Sequence, residues 1–282
     1  MANRAFAYYP GCSLHHGVAK EYDVSSRLTC RALGVELREI EGWTCCGATS
    51  VHLSSRLLAA ALPARNLALV GKMGLPMALA CAMCFSRHRY ALHEMEDASM
   101  REKVAGALGD GVPADVEVRH LLQILDGVDI KASRSLDGLK VACYYGCLLV
   151  RPLEVTGFDD EENPQAMDRL LASVGAQPLD WGLKTACCGA GMGLPRQDMV
   201  LRLTGRILRQ AVAEGADCLA VACPMCHYNL DSYQKAIGGG LNLPVLYFTQ
   251  LLGLALGFSP HELRLDKHLV DTGPLLRSRG LV

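Results

Sequence analysis

The chain of 282 residues has no excess of charge of either sign, since 28 Lys and Arg side chains are matched by 29 Asp and Glu for a formal charge of −1. No basic block stands out, so nucleic acid is not an expected partner. It also lacks any clean apolar run of about 20 residues, the length a membrane span requires. The longest apolar stretch, 241–258, is interrupted by Asn242, Pro244, Thr249 and Gln250. No transmembrane segment is therefore expected, and Phe248 to Leu256 reads as a buried helix. The opening residues, Met1 to Phe6, show no signal-peptide core or cleavage site, which points to a cytoplasmic, reducing location where disulfide scaffolding is the weaker use of cysteine. There is no Gly-x-Gly-x-x-Gly fingerprint and no flavin motif, so any electrons must come from a partner. Low-complexity sequence is absent too, and with 50% of its residues hydrophobic the chain reads as globular and ordered.

What the chain does have is cysteine, 13 in all, and ten of these fall into two sets of five. The first set is Cys12, the adjacent pair Cys45 and Cys46 followed by Gly47, and the CxxC pair Cys81 and Cys84. The second is Cys147, Cys187 and Cys188 followed by Gly189, and Cys223 with Cys226. Between the CC pair and the CxxC lie 34 residues in both halves. The stretch Tyr8-Tyr9-Pro10-Gly11-Cys12 answers to Tyr144-Tyr145-Gly146-Cys147 with Pro10 as the single extra residue. An internal duplication in a chain of this length predicts two similar domains, 1–130 and 137–282, joined by a linker over Asp126 to Gly138.

Each half reads as α/β. In the first, strands are predicted at Arg4 to Tyr9, Val35 to Ile40 and Met77 to Ala80, with helices at Ala19 to Leu33, Leu53 to Lys72 and Phe85 to Leu108, and a further helix at Val118 to Leu125. In the second, strands fall at Lys140 to Tyr145, Gln177 to Trp181 and Cys218 to Ala222, with an edge strand at Pro244 to Tyr247. Helices are predicted there at Pro164 to Val174 and Pro195 to Glu214. The tail from Asp266 onward reads as loosely held, with Lys267, Arg277 and Arg279 as a solvated end. The cysteines then lie just past the C-terminal ends of strands, with the CxxC in the turn beyond the third. In a mostly parallel sheet that edge gathers ligand groups, and the helix starts there favour an anionic group.

Four ligands suffice for a structural zinc or an ordinary cubane cluster. Five thiolates, two of them adjacent, suit a larger or more open metal–sulfide core, because Cys45 and Cys46 can serve neighbouring irons more readily than one. Cys30, Cys143 and Cys218 have no cysteine counterpart in the repeat and are read as buried hydrophobes. His227, next to the last CxxC, and His15 or His16, after Cys12, are placed to donate hydrogen bonds to a cluster sulfur or a bound thiolate. His227 is the one weak candidate for a catalytic side chain.

The two sets, together with Ala64-Arg65-Asn66-Leu67, Cys187-Cys188-Gly189-Ala190-Gly191 and the stretch from Pro244 to Leu254, resemble the duplicated CCG domain of the heterodisulfide reductase B-type subunit. The wording around Ala7 to Leu14 and Glu39 to Thr49 is more similar to bacterial relatives. The resemblance implies two noncubane 4Fe-4S clusters, one held by Cys12, Cys45, Cys46, Cys81 and Cys84 and the other by Cys147, Cys187, Cys188, Cys223 and Cys226. It implies electrons delivered by a ferredoxin-type subunit, the C component of such complexes, which is fed in turn by a flavin-containing subunit, the A component. A disulfide or thiol substrate then lies between the clusters and is cleaved by paired one-electron transfers. The alternative is a non-catalytic electron-transfer subunit linking a flavoprotein to another redox module, as in a variant succinate or fumarate oxidoreductase.

Overall fold

Parallel strands can be joined only by a crossover, normally a helix, and such sheets are buried on both faces. The alternation of short apolar runs with longer helical segments produces this arrangement twice. The computed structural model describes residues 4–48, 51–109 and 115–282; Thr49 lies outside them. The first half runs β1 (Arg4–Tyr9), α1 (Gly11–His15), α2 (Lys20–Ala32), β2 (Val35–Glu39), α3 (Val51–Ser54), α4 (Arg56–Met73), β3 (Met77–Leu79), α5 (Ala82–Glu94), α6 (Ala98–Leu108), β4 (Val118–His120) and α7 (Leu121–Leu125). The second runs β5 (Lys140–Tyr144), α8 (Leu153–Thr156), α9 (Ala166–Ala172), β6 (Gln177–Pro178), α10 (Gln197–Ala213), β7 (Cys218–Val221), α11 (Pro224–Ser232), α12 (Gln234–Ile237), β8 (Val245–Tyr247), α13 (Phe248–Ala255) and α14 (Gly273–Ser278). Each half carries a four-stranded, all-parallel sheet, in the order β2-β1-β3-β4 and β6-β5-β7-β8.

The register corrects the repeat. Tyr9 pairs with Leu79, two residues before Cys81, and Tyr144 pairs with Val221, two before Cys223. Tyr9 is thus the counterpart of Tyr144 and Pro10 that of Tyr145, with no insertion, and Cys143 stands opposite Tyr8 rather than Ala7. A Tyr-Tyr pair in both halves suggested the gapped match; the sheet decides against it.

Other differences have local causes. The helix expected over Phe85 to Leu108 is two, because Asp97 accepts bonds from the N–H groups of Ser99 and Met100 and caps a new start. Val118 to His120 is a strand, since Val118 and His120 turn inward on either side of exposed Arg119 as the segment pairs with β3. The strand expected to Trp181 pairs only over Gln177 and Pro178. The CxxC does not sit in a free turn: Cys81 and Cys223 are the residues just before α5 and α11, and Cys84 and Cys226 lie in the first helical turns. The tail is tied down. Asp231 accepts from the N–H groups of Leu269 and Val270, Leu276 and Leu281 are buried, and Arg279 pairs with Asp217 at 2.7 Å, so Arg279 is no solvated end.

The buried apolar residues of both halves form one continuous core. Across the seam, α2 meets α13 through Ser25 Oγ and Thr249 Oγ1 at 2.7 Å, and Thr29 Oγ1 donates to the Thr249 carbonyl at 3.0 Å. Beside them the rings of Tyr22 and Tyr247 stack at 4.0 Å. Glu21 is buried at this seam, and burial first, then Asp231, push its carboxyl up to about 7, with Arg264 opposing. Between its ordinary value near 4.5 and about 7, the folded chain holds a proton that the unfolded chain has released. The stability from this group is thus fully present at low pH and is lost as pH rises through about 7. Between pH 5 and 8 the chain should lose about 1–3 kcal/mol from this source, and Glu21→Gln should flatten that slope. An equal slope in both proteins, measured by denaturant titration across that range, would contradict it.

Candidate metal centre

The centre is built where the strands end. After β1 and β5 the chain turns at Gly11 and Gly146, both with φ above +70°, and a Cβ on either would lie 3.2 Å from a CxxC sulfur, that of Cys84 or Cys226. Only glycine brings the backbone this close in that conformation. Cys12 emerges exposed and Cys147 half-buried.

The CC pairs are held by the same device in both halves, one that sequence reading missed. Tyr9 donates its hydroxyl to the carbonyl of Thr44, and Tyr144 donates to that of Ala186, at 2.9 and 2.5 Å. Each of these carbonyls immediately precedes a CC pair. Asn66 adds a bond to each side of Thr44, while Asn229 and Thr204 donate to the carbonyl of Cys188. The loop so fixed turns Cys45 and Cys187 to solvent and Cys46 and Cys188 inward. The inward sulfurs meet the CxxC: Cys46 Sγ lies 3.4 Å from Cys84 Sγ, and Cys188 Sγ lies 3.5 Å from Cys226 Sγ. The amides of Gly47 and Gly189 point at the outer sulfurs of Cys45 and Cys187, at 3.5 and 3.3 Å.

The two sets are brought together. Cys81 and Cys223 each follow a carbonyl that accepts from one shared side chain, so the Cys46–Cys84 contact of the first half and the Cys188–Cys226 contact of the second are drawn toward one seam, where Cys81 and Cys223 bear on each other's ionisation. His120, not singled out from sequence, pins this junction. Its Nδ1 accepts from the N–H of Leu122, which leaves the proton on Nε2, and Nε2 donates to the carbonyls of Ala80 at 2.8 Å and Ala222 at 3.1 Å. These are the residues just before Cys81 and Cys223. Burial drives His120 down to about 4, so it stays neutral. A signal was present: Gln123 follows His120 by three residues as Gln250 follows Tyr247, and both glutamines cap the strand-end N–H.

Crowding governs the thiols. Neighbouring thiols shift one another in opposite directions: Cys45 and Cys147 are pushed up, first by their neighbours Cys46 and Cys187 and then by burial. Cys46 and Cys223 are drawn down by theirs, and Cys187 falls to about 6 through Cys147 and the amides of Gly189 and Ala190. Buried thiols so crowded cannot all ionise alone, whereas a bound cation deprotonates its ligands outright. Among the described residues no three His, Cys, Asp or Glu side chains form a site for a single metal ion. The donor set, soft and extended, with its inner thiols buried and its outer ones open to solvent, fits an iron–sulfide group.

The remaining candidates lie apart from these contacts. Cys143 is buried against Asp168, which is also held by Lys184 at 2.8 Å and Tyr145 at 2.6 Å. Burial pushes Cys30 up to about 12 and Cys218 higher still. His227 turns Nε2 to the Val245 carbonyl at 3.0 Å and to His268 at 3.1 Å rather than to a sulfur. His15 and His16 contact each other at 2.8 Å, with Trp43 against the His15 ring.

Paired α/β units with this cysteine geometry define a duplicated cysteine-rich domain. The family described as cysteine-rich domain, CCG, matches residues 6–87 and again residues 141–231. Over 96% of its length the chain is 33% identical to the 8-methylmenaquinol:fumarate reductase membrane anchor subunit of Wolinella succinogenes, covering 99% of it. It is 32% identical to the B-type subunit of the ferredoxin/F(420)H(2)-dependent CoB-CoM heterodisulfide reductase of Methanosarcina acetivorans, with 88% of each chain covered. The crystal structure of a hypothetical protein from Helicobacter pylori superposes with a TM-score of 0.78 at 14% identity, over 96% of this chain and 53% of that one, and shows the shared fold. The chain belongs to the heterodisulfide reductase B-type family of CCG proteins. Among its described residues no helix is long and apolar enough to cross a membrane.

Gly11→Ala should lower iron content in the first half only, because the added methyl meets Cys84 Sγ. Gly34→Ala is the control, with the same φ of +73° but open space around it. Both carry backbone strain of about 1–2 kcal/mol, so equal iron in the two variants would show that the close approach at Gly11 is unimportant.

Proposed function

We propose that the chain is the iron–sulfur subunit of a heterodisulfide reductase-like complex, and that it cleaves or forms a disulfide between two noncubane 4Fe-4S clusters. The observation that carries this reading is the convergence of the two cysteine sets on one seam, where His120 holds together the carbonyls just before Cys81 and Cys223. Cys12, Cys45, Cys46, Cys81 and Cys84 would hold one cluster, and Cys147, Cys187, Cys188, Cys223 and Cys226 the other. When bound, such clusters supply one electron each, and a disulfide needs two, with two protons, to become two thiols.

The chain's own contribution is placement. The exposed thiols of Cys12, Cys45 and Cys187 form the rim that a substrate from solvent can reach, while Cys81 and Cys223 are buried and keep water from the junction. His120 fixes the separation of the two CxxC turns. With no nucleotide fingerprint in the chain, a flavoprotein and a ferredoxin-type subunit supply the electrons, and a reducing, cytoplasmic setting keeps the cysteines out of disulfides.

The Wolinella relative is the membrane anchor subunit of a fumarate reductase, and a second reading is that this chain only transfers electrons, its clusters serving as a conduit. Two pairs of substitutions separate the readings. With Cys81 and Cys84 both changed to Ser, the first cluster should be lost and the second retained, disulfide turnover should fall by at least about 10²-fold, and added thiol should still perturb the surviving electron paramagnetic signal. Changing Cys223 and Cys226 should mirror this. Clusters blind to every thiol and disulfide, in the intact complex as in the variants, would leave the conduit reading in place of the catalytic one.

A further inference from the structure

Among the described residues four buried side-chain hydroxyls have no hydrogen-bond partner, those of Tyr22, Ser26, Ser86 and Tyr247. A buried hydroxyl left unpaired costs about 1–3 kcal/mol, and folded proteins leave few. Tyr22 and Ser26 are a helical turn apart on α2, Ser86 follows Cys84 by two residues on α5, and Tyr247 stacks on Tyr22.

Tyr22 differs from the others in what surrounds it. It is wholly buried, and its ring stacks on that of Tyr247, which pairs in the sheet with Val221, two residues before Cys223; in keeping with that placement, the groups that bear on its hydroxyl after burial are Cys223 and then Cys81, one from each set. For Tyr247 the first such group is Glu21. The Tyr22 ring has little freedom to turn away. It lies flat against Tyr247, with planes 7° apart, and edge-on to Phe248 at 6.4 Å, while α2 is fastened to α13 on either side by Ser25 and Thr29. A phenol is a donor at neutral pH, and this one finds no acceptor among the protein's own atoms.

We propose that the Tyr22 hydroxyl donates a hydrogen bond to a cluster sulfur, thiolate or sulfide, at the junction of Cys223 and Cys81, and thereby sets the potential of the cluster it reaches. This rests on the reading of the two cysteine sets as cluster ligands. A donor there stabilises the reduced, more negative form, and hydrogen bonds to sulfur are one of the levers on cluster potential. Tyr22 comes from the first half, yet the cysteine that bears most on it belongs to the second, so one side chain ties the tuning of one set to the packing of the other.

The test is an electron paramagnetic redox titration of the intact holoprotein, in its complex as purified, with iron and sulfide measured on each sample. Tyr22→Phe should keep its iron and sulfide, shift one cluster to lower potential, and lose an exchangeable-proton coupling seen in the unmodified protein by electron–nuclear double resonance. A ring-fluorinated tyrosine at position 22, a stronger donor of nearly the same shape, should shift that cluster to higher potential. Full iron with unchanged potentials and proton couplings in both proteins would overturn the proposal while leaving the cluster assignment standing. Should Tyr22→Phe lose iron, the fluorinated protein decides by the presence or absence of its upward shift. An unmodified holoprotein without iron would overturn both.

Discussion

One imidazole N–H, that of His120, is shared between the carbonyls of Ala80 and Ala222, and the geometry of the centre depends on it. Those carbonyls end two strands in two different sheets, and each is followed by the cysteine that precedes a helix. Holding them to one donor brings the starts of α5 and α11 together, which is why Cys81 and Cys223 face the same seam. A buried hydrogen bond of this kind contributes about 1 kcal/mol net; its larger effect is positional, since one side chain fixes the ends of strands from two sheets against each other.

The halves share a plan and differ in detail. Where the first half places His120 at the end of its fourth strand, the second places Tyr247, stacked between Tyr22 and His227. Where Tyr8 bonds to Asp23, its counterpart Cys143 lies against Asp168, which the nearly buried Lys184 neutralises. These substitutions change the polarity around each cysteine set while the strand order and the Tyr9 and Tyr144 clamps are retained. Two metal groups in such surroundings would not be equivalent, which suits a reaction in which the two sulfurs of a disulfide leave to different sides.

Much of this is legible in the sequence alone. Alternating apolar runs and helical segments give the parallel α/β plan, and ten cysteines in matched spacing identify the edge where the centre lies. What was hidden was tertiary. Val118 to His120 is too short and too mixed to distinguish a strand from a helix start until it pairs with β3. The gapped match of Tyr8-Tyr9 to Tyr144-Tyr145 obeyed letter identity, and only the register shows that Tyr9 and Tyr144 do the same work. The tail looked loose because its anchor, Asp231, is separated from Leu269 by 38 residues of sequence. The place of His227 beside a CxxC points to a sulfur partner, whereas a carbonyl of the neighbouring strand takes its ring nitrogen.

Everything proposed for the centre turns on what the sulfurs hold, so the direct measurement is iron and acid-labile sulfide in protein purified and handled without oxygen. Two four-iron clusters require about eight of each per chain, and that is the expected result. Stoichiometric, tightly bound zinc with no sulfide would contradict it, and the convergence of the cysteines at Cys81 and Cys223 would then have to be understood as a structural seam.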